Sequence, residues 1–551
     1  MSLMYKCYLF CFLLIGLAAC ENSFFDKANP QAISEKEAWN SPQLIEMYVN
    51  SIYNDIPGWN NESGEVYSSI SDESRITYPS DQSHSIWRGD WDAVNNPMKF
   101  WVYSSIRKCN EFFARIDDSP LDVGEKTRLK GEVRFLRAFL YFNMVKRYGG
   151  VPIIEIPQKL TDDLQVSRNT LDECFTFIIK EFDNAFVELP ENAIRGKANK
   201  GSALALKGRV LLYYASPLYN ESNNGDLWKQ AANANKVVID LGKYELYPNL
   251  TRIWLDASEN NKEAIFEVQY KLPEKYHSLD AIVKPLIVAN NTAGYRNPLQ
   301  ELINAYPMKN GKSIFDPGCG YDTNNPYVGR DDRFYADIAY NGAIIKGTSS
   351  GPPVKDITLQ IYKGGRDFDE IPGYQIYNTF TGYYSIKMID QENTIYRGGY
   401  GSVQPWIEIR YAEVLLNYAE AQNEFLNIPD ASVYDAINKI RKRAGIVNDL
   451  SFGSLTKDQM RELIRNERYV ELSYERQRYW DLRRWKLAET MLNGKSLTGV
   501  VITKQANGSF TYEYKPVDDQ PGVFLPKMYL MPIPQSELTK NKNLTQNPGW
   551  Q

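Results

Sequence analysis

The order of apolar and polar positions divides the chain into helical tracts that flank a long tract of different texture. Between about Met98 and Leu241, apolar residues recur at helical spacing with little Gly or Pro inside the elements. The stretch EVRFLRAFLYFNMVKRY sets Phe135, Ala138, Phe139 and Phe142 on one stripe, and Leu136, Leu140, Met144 and Tyr148 carry the apolar surface round the cylinder. A helix apolar over so much of its circumference is expected between neighbours. Gly149, Gly150 and Pro152 predict its end. NTLDECFTFIIKEFDNAFVEL and NKGSALALKGRVLLYYASPL predict a further pair, the first capped by Asn169 or Thr170 and the second closed by Pro217. Past about Asn260, KEAIFEVQY reads as a strand, and residues 271–405 are rich in Gly, Pro, Asn and Tyr. Their aromatic content argues against disorder and for long structured loops with a small core beneath them. Helices resume at WIEIRYAEVLLNYAEAQNEF, VYDAINKIRKRAG and KDQMRELIRNERYVELSYERQRYWDLRRWK. Recurrent helix pairs predict a stacked-helix scaffold, although the spacing is irregular and the roughly 34-residue tetratricopeptide consensus is absent.

The N-terminus has its own pattern. The apolar run from Cys7 to Ala19 is shorter than the about 20 residues that cross a bilayer, and it follows a single Lys6. That layout predicts a secretory signal peptide, and Leu17-Ala18-Ala19-Cys20 resembles the bacterial lipobox, in which cleavage exposes a cysteine for lipidation. The expected organisation is a signal peptide (1–19), a lipidated tether with a first helix and an aromatic loop segment (20–97), a helical repeat scaffold (98–255), a loop-rich aromatic segment (256–405) and C-terminal helices with a tail (406–551).

Composition narrows the chemistry. A net charge of -5 gives no footprint for nucleic acid. Beyond the leader and Cys20, the cysteines Cys109, Cys174 and Cys319 are odd in number and lack CxxC spacing, which indicates neither a zinc knuckle nor a disulfide framework and leaves their pairing open. There are only two histidines, His84 and His277, so any histidine-dependent mechanism would have to use one of them. The glycine-rich YKGGRDFDE and YRGGYGSV lack the strand, lysine and helix of a phosphate cradle and read as turns. No cofactor is expected and no residues are assigned to a metal, while a bound calcium ion stays open. The 38 tyrosines, by contrast, supply flat apolar faces with polar edges, suited to recognition.

Two constellations invite a functional reading. Glu467, Glu471 and Glu475 stand at i, i+4 and i+8, with Asp481 beyond. Paired carboxylates hydrolyse glycosides, but three like charges on one stripe need cations among them. Arg465, Arg468, Arg476 and Arg478 are near in sequence, and Arg410, Arg441 and Arg443 lie on neighbouring helices, so the ladder reads first as an ion network joining repeats. In YPSDQSHSIWRGDWD, Trp87 and Trp91 bracket Arg88, Gly89 and Asp90, and Trp59, Tyr67 and Tyr78 lie upstream. Aromatic faces with a few placed polar groups make a small-ligand site, and a pyranose stacks its C–H face on such rings. The same i, i+4 spacing would also serve to plug a loop onto the helices.

Several stretches together resemble the SusD/RagB family of outer-membrane lipoproteins. They are GEVRFLRAFLYFNMVKRYGGVPII, KGSALALKGRVLLYYASPLYN, IEIRYAEVLLNYAEAQNE, AINKIRKRAGI, RNERYVELSYERQRYWDLRRWK and YLMPIPQSELTKNKNLTQNPGW, in family order from residue 131 onward. The resemblance implies a mainly α fold, with a tetratricopeptide-like helix-pair scaffold and a loop-rich segment carrying short strands packed on it. It implies a lipid-anchored, cell-surface, non-catalytic protein that captures glycan and passes it to a SusC-type TonB-dependent transporter in the outer membrane. It also places Tyr276, Tyr295, Arg296 and Asn297 in a region that in the family lies on the binding face. The motifs are scaffold and leave the ligand open; a peptide-uptake component and a carboxylate-pair glycosidase are the alternatives.

Overall fold

The computed structural model describes residues 35–59, 64–77, 81–285, 294–347, 353–368, 378–393 and 401–551. The leader, Cys20 and Tyr78 lie outside them. The described residues hold ten helices of seven or more residues: α1 (Pro42–Tyr53), α2 (Tyr103–Phe113), α3 (Val123–Tyr148), α4 (Leu171–Glu188), α5 (Lys200–Ala215), α6 (Gly225–Asp240), α7 (Tyr411–Phe425), α8 (Ala431–Arg443), α9 (Lys457–Glu471) and α10 (Arg478–Arg484). Their ends follow local chemistry. The Asp122 carboxylate accepts from Glu125 N at 2.9 Å to start α3, and Gly149, at φ 74°, ends it. Thr170, rather than Asn169, caps α4, exchanging bonds with Glu173 in a capping box. Asn199 with Ser202, and Thr456 with Gln459, do the same for α5 and α9. Each such cap stabilises by about 1 kcal/mol.

Successive helices stack, α3 on α4, α4 on α5, α5 on α6, α6 on α7, and α7 on both α8 and α9. The apolar circumference of α3 is fully used: Phe135, Leu136, Phe139, Leu140, Phe142 and Met144 are all buried. No described helix is long and apolar enough to cross a membrane.

The strands form five antiparallel two-stranded ribbons: β1 (Ser74–Ile76) with β3 (Arg296–Pro298), β2 (Ala264–Val268) with β8 (Trp406–Arg410), β4 (Ile338–Ala339) with β7 (Tyr384–Ser385), β5 (Ile344–Gly347) with β6 (Lys355–Thr358), and β9 (Thr498–Lys504) with β10 (Phe510–Pro516). The β2–β8 ribbon joins the two ends of the loop-rich segment, which leaves the scaffold at β2 and returns at β8 directly into α7. One continuous apolar core runs from Ile45 to Leu544, and a small satellite of Met308, Ile314 and Cys319 lies under the loop after residue 307. Cys109, Cys174 and Cys319 are unpaired and buried; burial pushes the Cys109 thiol up to about 12 and that of Cys174 to about 11.

The acidic ladder is clamped from several directions. Arg333 reaches Glu467 at 2.9 Å and Glu471 at 3.2 Å, and Arg441 reaches Glu467 at 2.9 Å. Arg410 binds Glu263 at 2.5 Å, with Glu471 and Glu475 both at 2.7 Å. Arg443 bridges Glu263 and Glu471, and Lys387 holds Glu475 at 2.9 Å. Tyr474 and Arg476, both at positive φ, bracket Glu475 and turn it into this cluster. Of the nearby arginines, Arg468 and Arg478 serve other acids, Asp481 and Asp72; the ladder instead recruits Arg333 and Lys387 from the loop-rich segment. The charged side chains of the network are all buried, so it bolts that segment to the scaffold.

Burial by itself would raise the Glu471 carboxyl, but Arg443, Arg410 and Arg333 more than offset it and hold it well below the usual carboxylate range. Its stabilisation is therefore complete above its ordinary value of 4.5 and is lost as pH falls toward its folded value. Glu471→Gln is expected to cost about 3–5 kcal/mol in denaturant unfolding at neutral pH and to flatten the acid limb of the stability profile. A neutral-pH cost below about 1 kcal/mol would show the network to be dispensable.

Candidate ligand-binding surface

The structure puts the expected tryptophan cluster inside the protein. Trp59, Trp87 and Trp91 are each 6% exposed and Tyr67 is 4% exposed. Trp59 donates its indole N–H to Gln404 O at 3.0 Å and meets Trp406 edge-on, ring centroids 4.8 Å apart. The Tyr67 hydroxyl accepts from Arg147 Nη2 at 2.7 Å. The Arg75 guanidinium covers the Trp87 ring at 3.8 Å, and Gly522 lies so close that a Cβ there would come within 2.5 Å of it. Trp91 packs on Trp550, at the far end of the chain, with centroids 4.8 Å apart. A ring whose face is already covered cannot stack a sugar, so the surface grip expected of this cluster is corrected to a structural role. Arg88 donates Nε to His84 O at 3.3 Å, and Asp90 is exposed beside the buried pair.

The second expected group divides. Tyr276 is 36% exposed. Tyr295 is half-buried, its N–H bonded to Ile282 O and its carbonyl accepting from Thr77 N. Arg296 and Asn297 are fully buried in β3. Arg296 lies over the Tyr474 ring at 4.5 Å and donates to Lys387 O at 2.7 Å, and Asn297 bridges Gly294 O and Phe380 N. For these two a direct ligand contact is corrected to a structural role, because neither side chain reaches the surface. His277, 2% exposed between Tyr270 and Trp59, is pushed down to about 4 by burial and stays neutral.

Exposed rings gather instead where the 307–340 region meets the β9–β10 hairpin. The side-chain alternation of β10 puts Phe510, Tyr512 and Tyr514 on one face. Tyr327 sits centrally, with Tyr340 at 4.6 Å, Tyr512 at 5.7 Å and Tyr383 at 6.1 Å. Phe334, fully buried, supports Tyr335 at 5.3 Å and Tyr340 at 5.4 Å. Above this base stand Tyr335, 38% exposed, and Tyr514, 46% exposed, with Tyr321, Tyr340 and Tyr512 half-buried beside them. Tyr335 Oη donates to Tyr327 O at 2.8 Å and Tyr383 Oη to Gln300 Oε1 at 2.7 Å, which locks the rings. Burial first, then neighbouring Tyr321, pushes the Tyr514 hydroxyl above its ordinary range, so it meets solvent as a neutral phenol. Rigid aromatic faces edged with hydroxyls can stack and hydrogen-bond a neutral ligand without chemistry on it. The sequence carried one signal for this rim, the alternation Phe510-Thr511-Tyr512-Glu513-Tyr514; its meeting with Tyr321 and Tyr335 is tertiary.

Trp87→Ala is expected to lower unfolding stability by about 3–5 kcal/mol in denaturant titrations. Tyr514→Ala, on the rim, is expected to stay within about 0.5 kcal/mol of the parent. The reverse ranking would invert the assignment of core and rim.

The comparisons with known proteins agree with this architecture. A family described as the SusD family matches residues 254–550, and one described as starch-binding and associating with the outer membrane matches residues 23–212. A SusD-like protein of Bacteroides ovatus is 23% identical over 581 residues, covering 96% of this chain and 95% of that one. The crystal structure of a SusD-like protein from Bacteroides fragilis is similar with a TM-score of 0.78 and 31% identity, over 95% of this chain and 100% of that one. A SusD-like carbohydrate binding protein from the same species has a TM-score of 0.76 and 26% identity, over 92% and 100%. With a family match over more than half its length and a solved relative alike over nearly all of it, the chain belongs to the SusD family.

Proposed function

We propose that the protein captures glycan at the cell surface without cleaving it and hands it to a SusC-type TonB-dependent transporter in the outer membrane. The observation that carries this reading is the rigid tyrosine rim of Tyr335, Tyr514 and their neighbours, on a scaffold whose family descriptions include starch binding. Sugar contacts of this kind are individually weak, about mM to μM or about -4 to -8 kcal/mol, which suits a ligand that must be released into a pore. Lipidation at Cys20 would hold the protein beside its partner, each buried acyl methylene contributing about 0.8 kcal/mol. The locked ladder supports binding without hydrolysis. A glycosidase needs one carboxyl that can give up a proton to the leaving group, and the ladder acids are held by arginines away from solvent.

The test is affinity electrophoresis of the mature chain across a panel of polysaccharides, with a Tyr335→Ala, Tyr514→Ala double variant alongside. The parent is expected to be retarded by at least one glycan, and the double variant to lose about tenfold or more in affinity at unchanged Tm. Because burial raises the Tyr514 hydroxyl and keeps it protonated, retardation is expected to hold steady between about pH 6 and pH 9. Retention of a peptide pool with no retardation by any glycan would sink this reading in favour of peptide uptake, and release of reducing ends would sink its non-catalytic part.

A further inference from the structure

The short helix Gln300–Ala305 meets the tyrosine cluster through Gln300 and Tyr306, and lines a groove of about 930 Å³ through Glu301, Asn304 and Ala305. The opposite wall of the groove is α9, and its end is the loop from Pro307 to Asp316. Continuing, that loop delivers Tyr321 and Tyr327 to the tyrosine face, so groove and face are two sides of one ridge.

Three features of the groove point to a ligand. Phe315 stands on its rim 75% exposed, where burial would otherwise be favourable. Three carboxamides line it with one half fixed by protein: Asn304 Oδ1 accepts from Gln300 Nε2 at 2.8 Å, Gln459 Oε1 from Thr456 N at 2.9 Å, and Asn466 Nδ2 donates to Ala305 O at 2.9 Å. Among the described residues, Asn304 Nδ2, Gln459 Nε2 and Asn466 Oδ1 make no protein hydrogen bond, leaving two donors and an acceptor in fixed positions. Finally, the charges that line it are already engaged within the protein: Asp458 pairs with Arg461, Glu462 with Arg465, Arg441 with Glu467 and Arg478 with Asp72, and the Lys312 ammonium donates to Pro317 O at 3.1 Å.

Resting on the glycan-binding reading above, we infer that this groove is a second subsite for the same chain, and that the chain is a neutral polysaccharide. An exposed ring beside fixed amides matches the C–H face and hydroxyls of a pyranose. With the lining cations engaged by protein acids or a carbonyl, a uronate or sulfate group would be desolvated there without gaining a counter-charge, which favours a neutral polymer. Among the described residues the walls are helix and loop with no open strand edge, the feature an extended peptide would pair with. Two subsites on one ridge make affinity rise with chain length, since the second contact forms at high effective concentration.

The experiment uses the mature full chain with starch, laminarin, mannan and xylan as neutral probes and alginate and polygalacturonate as anionic ones, followed by calorimetry with a length series of oligomers from each retained glycan. Phe315→Ala with Gln459→Ala, both exposed, is expected to weaken polymer binding about fivefold or more while leaving the affinity for a di- or trisaccharide at the parent value and lowering the Tm by no more than about 4 °C, the effect of the lost Gln459 cap. Parent-like polymer affinity in this variant, while Tyr335→Ala, Tyr514→Ala still loses about tenfold or more, overturns the groove subsite and leaves the proposed function standing. Preferential retention of alginate or polygalacturonate overturns the neutral assignment. Failure of the parent to bind any of the six overturns both readings.

Discussion

The buried pairing of Glu467, Glu471 and Glu475 with Arg333, Arg410, Arg441, Arg443 and Lys387 is the constraint on which the rest of the architecture depends. Charges in a low-dielectric interior tolerate no unpaired partner, so α9 can dock only where all of these cations arrive together. Arg333 and Lys387 come from the loop-rich segment, and Arg410 from the ribbon that closes it. The segment thereby acquires a fixed seat without an extended sheet of its own. Arg333 also lies in the short helix Asp332–Asp337 that carries Phe334 and Tyr335. The network thus reaches the tyrosine rim through two adjacent residues.

That arrangement separates the protein's buried charge from its exposed aromatic rim. Carboxylates that would suggest acid–base work are spent on holding the scaffold together, and the exposed rim is made of phenols on rings supported from beneath. A rigid aromatic face loses little conformational freedom when a ligand stacks on it.

The two tryptophans show how much an aromatic pattern leaves undecided. Trp87 and Trp91 at i, i+4 beside Arg88 and Asp90 fit a sugar site and a loop plug equally well by spacing. Their roles were set by Arg75, Gly522 and Trp550, which reach them from elsewhere in the chain. Arg296 and Asn297 were settled the same way, by β1 and by Lys387 and Phe380.

What the sequence by itself determined is what short-range physics encodes. The circumferential apolarity of α3, the stop at Gly149, a cap at Asn169 or Thr170, the strand at β2 and the need of the glutamate ladder for cations all depend on residues within a few turns of one another. Which arginines answer the ladder, and which tyrosines remain exposed, only the tertiary structure decided. A side chain is exposed because nothing distant covers it, and coverage is a property of contacts between segments far apart in sequence, on which local periodicity is silent.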